Sequence, residues 1–77
     1  MTHSDNVHAR IRANIRAYAR RRGKTLVQVA DFSGVSVSQL YNYLGDRSDV
    51  TVGWLLQVAE GLEVDIHDLT VPIDPGD

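Results

Sequence analysis

Residues 25–44, TLVQVADFSGVSVSQLYNYL, decide the fold of this 77-residue chain, because they read as two short helices joined at a single glycine. Thr25 is followed three positions later by Gln28, and Ser36 by Gln39. Each pair has the form of a capping box, in which the hydroxyl accepts a first-turn N–H and the glutamine amide reaches back to the cap residue. Between the boxes, Gly34 takes positive φ at little cost, so it ends the first helix and lets the chain turn before Ser36 restarts it. Spacing predicts an inner stripe of Leu26, Val29 and Ala30, with Phe32 as an optional member, facing Val35, Leu40, Tyr43 and Leu44. Ala30 is the small residue expected at the closest crossing of the pair. Val37, Ser38, Tyr41 and Asn42 point the other way, forming a short, polar and aromatic face without carboxylates.

Outward from this pair, Val7, Ile11, Ile15 and Tyr18 recur at helical spacing with Ala19 beside them. Ser4 or Asp5 can cap that helix, which is predicted to run to about Arg22 before Gly23 stops it. After Gly45, the polar stretch 46–50 is a loop, and Thr51 caps a helix that turns Val52, Leu55, Val58, Ala59 and Leu62 inward. Trp54 falls largely off that stripe. Asp65 caps a last short helix containing Ile66 and Leu69, and Pro72 and Pro75 prevent its continuation. The expected architecture is all-α: five helices in one domain, residues 1–70, with a helix-turn-helix over 25–45 and a flexible tail over 71–77.

The chain has no cysteine, so disulfides and thiolate zinc sites are excluded and helix packing must supply the core. No apolar run approaches membrane-spanning length, and the start Met1–Asn6 lacks a basic-then-apolar export pattern, so a soluble cytoplasmic protein is expected. Catalysis finds little support. His3, His8 and His67 show no metal-ligand spacing, no phosphate-cradling glycine loop occurs, and Asp65 with Asp68 reads as helix capping rather than a carboxylate pair. Neither a cofactor, a metal nor a small-molecule ligand is expected.

Charge is strongly polarised. Seven of the eight basic residues lie between Arg10 and Lys24, giving +5 over residues 1–45, whereas residues 46–77 carry −7 and the total is −2. Such a chain can turn a basic face to phosphate and an acidic one to solvent or a partner. Alternatively, Arg20-Arg21-Arg22 only complement the dipole of their own helix.

Ala30, the run Gly34-Val35-Ser36 and Leu40 resemble the lambda-repressor-like, Cro-type helix-turn-helix family, often called XRE. Downstream, Thr51–Leu56, Val58-Ala59, Leu62 and Val64–Leu69 look like the family's fourth helix and closing turn, so the resemblance spans Ile11 to Leu69. The resemblance implies a DNA-binding transcriptional regulator, a repressor that occupies operator DNA, whose helix after Ser36 enters the major groove. Base contacts are then expected from Val37, Ser38, Gln39, Tyr41 and Asn42, with Gln39 either held in its capping box or turned to an adenine. Phosphate contacts are expected from Lys24, Thr25, Gln28, Ser36 and Arg47. The family often carries a glutamine just after the first cap, where this chain has Leu26.

A single module reads few bases, so a homodimer on double-stranded DNA is expected. Trp54, Val64, Ile66, Val71 and Ile73 are the candidate contact surface, although Trp54 can instead cover the edge of the core. A second function remains open: a protein-interaction or antitoxin-type regulator that kept the scaffold and binds a basic partner through its acidic half.

Overall fold

The structure, a computed structural model, describes residues 4–71, with side chains from Val7 onward. Five helices follow one another: α1 (Ser4–Arg21), α2 (Leu26–Ser33), α3 (Val37–Leu44), α4 (Val52–Leu62) and α5 (Ile66–Thr70). The described residues contain no strand. The capping expected from Ser4 or Asp5 and the tail from Pro72 onward, including Ile73, lie outside the described residues and side chains.

Helix ends are set by local hydrogen bonding. Thr25 closes a full capping box with Gln28, Thr51 accepts the Trp54 N–H at 3.0 Å, and Asp65 and Asp68 cap reciprocally at the start of α5. Gly34 is left-handed at φ 72°, with its N–H on Asp31 and the Val35 N–H on the Ala30 carbonyl, so α2 ends in a Schellman turn. The same pattern ends α1 at Gly23, α3 at Asp46 and α4 at Glu63, and the last two are non-glycine residues at φ 62° and 63°.

Ile15, Val29, Leu40, Tyr43, Val58, Leu62 and Leu69 are fully buried and draw all five helices onto one core. The tightest approach is between α2 and α4, where a Cβ on Gly61 would overlap the Ser33 hydroxyl and stand 2.9 Å from the Ser33 backbone. Ala30 is buried as expected, but Ser33 rather than Ala30 meets the glycine. Asn14, buried inside α1, donates to the carbonyls of Leu69 and Val71 at 2.7 Å each and fixes α5 against α1.

Three sequence expectations change. Trp54 is core, 6% exposed, with its ring edge-on to Tyr43 at 5.5 Å, while Val52 is 68% exposed. The buried face of α4 is wider than the predicted stripe and rotated about the axis, running through Trp54, Leu55, Val58, Gly61 and Leu62. Phe32 stands outside the core, because the C-terminal turn of α2 buries Ser33 against Gly61 instead. Val7 is likewise exposed, one turn before the first buried residue of α1, Ile11.

Candidate nucleic-acid interface

Gly34 and the Leu40 anchor place α3 so that Leu40, Tyr43 and Leu44 face the core and the opposite side is free. Ser38, Gln39, Tyr41 and Asn42 are exposed there, and none carries a charge. Val37, at the first turn, is half-buried against the core and offers only part of its surface.

The two helix starts differ in a way that bears on Gln39. Thr25 accepts the Gln28 N–H at 3.1 Å and donates its own N–H to Gln28 Oε1 at 2.8 Å. Ser36 accepts the Gln39 N–H at 3.3 Å, but the return bond that closes the first box is missing. The chain enters α3 at ψ 135° rather than the 164° of Thr25, which turns the Ser36 N–H differently toward the third helical residue. The expected second capping box is therefore half of one, and the Gln39 amide is not spent on it.

The expected phosphate contacts are distributed around this face. Thr25, Gln28 and Ser36 are exposed at the starts of α2 and α3. Lys24 is half-buried, its ammonium 5.2 Å above the Phe32 ring. Arg47 is exposed and folds its guanidinium back over Gly45, where an added Cβ would meet it at 3.2 Å.

Most arginines of α1 are engaged elsewhere. Arg10 donates to the Thr70 carbonyl at 3.0 Å, Arg12 to Tyr43 at 2.8 Å and Arg16 to Leu44 at 3.3 Å. Arg22 donates through Nε to the Leu62 carbonyl and through Nη2 to that of Glu63 at 3.2 Å. These carbonyls lie at the C-termini of α5, α3 and α4, where a cation also complements the helix dipole. Four of the seven basic residues between Arg10 and Lys24 thus cap three other helices, a role that only the tertiary arrangement makes visible, while Arg20 and Arg21 stand in the last turn of α1 itself. Arg21 covers the Tyr18 ring at 5.4 Å.

Of the expected pairing surface, Val64 and Ile66 are partly buried against the core and Val71 is half-buried. Trp54 is withdrawn from it by its burial. The described residues hold no group of side chains suited to a metal ion and no helix long and apolar enough to cross a membrane.

Residues 10–70 match the family described as "Helix-turn-helix domain", which places the protein among DNA-binding regulators. Since that match spans most of the chain, the chain belongs to the helix-turn-helix domain family. The fold is similar to that of a hypothetical transcription factor, NHTF, from Neisseria, with a TM-score of 0.82 over 94% of this chain and 83% of that one. At 17% identity this likeness concerns the fold alone. The Cro-type resemblance of Ala30, Gly34-Val35-Ser36 and Leu40 accords with both findings. Comparison with curated proteins gives no match.

Proposed function

We propose that the protein is a sequence-specific transcriptional repressor that binds operator DNA as a homodimer and excludes competing factors sterically. The observation that carries this reading is the uncharged, exposed face of α3, bordered by the exposed starts of α2 and α3. Asn42 and Gln39 carry amides of the kind that pair with an adenine edge, Ser38 is a permissive hydrogen-bonding group, and the exposed part of Val37 suits a thymine methyl. Tyr41 lies on a base or bonds a phosphate. Lys24, Thr25, Gln28, Ser36 and Arg47 supply phosphate contacts that hold register without reading sequence. Val64, Ile66, Val71 and Ile73 form the pairing surface.

Selection of bound sequences from random duplex DNA with the full-length chain tests this reading. The expected product is a palindrome with half-sites about 10 base pairs apart, or a multiple of that. Absence of any bound DNA at low salt would reject it. The use of four arginines as helix caps favours a second reading, a regulator whose acidic half, with Glu60, Glu63, Asp65 and Asp68, binds a basic protein. That reading requires binding to a basic partner with no selected duplex.

A further inference from the structure

The last turn of α3 is pinned from behind by one stripe of α1. His8, Arg12 and Arg16 recur every four residues and so share a helix face. His8 Nδ1 is hydrogen-bonded to the Tyr43 hydroxyl at 2.9 Å, while Arg12 Nε donates to the Tyr43 carbonyl and Arg16 to that of Leu44. Arg12 does more than cap. Its Nη2 pairs with Asp46 Oδ1 at 2.9 Å, and its guanidinium lies 4.8 Å from the centre of the Tyr43 ring. Asp46 is the left-handed residue that ends α3, so one side chain grips the ring, the carbonyl and the terminating turn together.

The two ends of α3 are consequently fixed by different means. Its start is set by the Gly34 turn and the Ser36 cap. Its end is held by the turn at Asp46 and the burial of Tyr43 and Leu44, and the polar stripe adds the directional contacts there, with Tyr41 and Asn42 in that last turn. Polar readout tolerates displacements of only about 0.5 Å, so freeing that end moves these side chains out of register before it disturbs anything else.

We propose that the His8–Arg12–Arg16 stripe is the positioning device of the reading helix, and that Arg12 governs base-pair discrimination without touching nucleic acid. This rests on the groove-reading proposal above. A positioning role separates cleanly from a phosphate contact and from a general contribution to stability. Removing a phosphate contact weakens binding to every duplex and flattens the salt dependence by about 0.9 in logarithmic slope. Loss of folded protein lowers binding to every duplex alike. Loss of position lowers selective binding only.

The test measures affinity of the full chain for a selected duplex and for a scrambled duplex of equal length, across a salt series, well below the melting temperature. For Arg12→Gln, affinity for the selected duplex is expected to fall about tenfold, the scale of one charge-assisted hydrogen bond, with scrambled-duplex binding and salt slope unchanged. Asp46→Asn removes the ion pair but keeps a residue tolerant of the left-handed conformation, and it is expected to give a smaller loss in the same ratio. It carries the test should Arg12→Gln fail to fold. An unchanged ratio of the two affinities, or a slope flattened by about one, would overturn the positioning role while leaving the groove reading intact. A wild-type chain without sequence preference would overturn both.

Discussion

α1 and α3 divide charge and exposure in opposite ways. α1 holds most of the chain's cations, yet its Arg10, Arg12 and Arg16, with Arg22 just after it, reach across the molecule to main-chain carbonyls. α3 holds no charge at all, yet its outer side chains are free. Charge density along a sequence thus marks where electrostatics is used, not who the partner is. In a 77-residue chain with one small core, arginine caps tie the ends of α3, α4 and α5 to a single long helix. The side chains left exposed on α3 are uncharged.

This contrast is open to direct attack. The largest effect is expected at Asn14, since Asn14→Ala strands the buried Leu69 carbonyl and the part-buried one of Val71, and should lower stability by about 3 kcal/mol in chemical denaturation. A loss below about 1 kcal/mol would show that the Asn14 bonds do not hold α5 in place. Next comes Gly61→Ala, which trades a favourable helix propensity for overlap with Ser33 and should destabilise by about 1–3 kcal/mol. On the other side of the comparison, Asn42→Ala should leave stability within about 0.5 kcal/mol while relaxing base preference by about 1–3 kcal/mol, read from selected-site competition.

Two smaller effects concern the helix ends themselves. Glu63→Gly relieves a left-handed non-glycine residue and is expected to raise stability by about 1 kcal/mol, measured as a shift of the denaturation midpoint. Tyr43 is more subtle. Burial raises its pKa above the ordinary 10.0, with Arg12 lowering it in part and Asp49 adding to the rise. The folded chain therefore holds this proton more tightly than the unfolded chain. Its contribution is complete below pH 10 and is lost as pH climbs from there through the folded value, so an alkaline melting series should steepen in that window and flatten in Tyr43→Phe.

Much of this was legible in the residues. The five helices follow from caps and stops that act within one turn: Thr25, Ser36, Thr51, Asp65, Gly23 and Gly34. The free face of α3 follows from its apolar spacing. What escaped depends on neighbours. Trp54 lies on a face that becomes interior only once Tyr43 packs beside it, and the Ser33–Gly61 approach joins residues distant in sequence. Asp46 and Glu63 take the positions that sequence reasoning reserves for glycine. The arginine caps were missed for the same reason. His8, Arg12 and Arg16 do show their four-residue spacing in the sequence, but nothing local reveals that the carbonyls of Tyr43 and Leu44 lie opposite.

The division between cations held on carbonyls and cations left free is tested most directly by the salt dependence of DNA binding. With Arg10, Arg12, Arg16 and Arg22 held on carbonyls, only Arg20, Arg21, Lys24 and Arg47 remain for phosphates. The expected slope of log K against log salt is therefore no steeper than about −3.6 per protomer, at −0.9 for each phosphate neutralised. A slope near −7 would mean that all the cations face DNA, and would contradict the assignment of α1 to holding the fold.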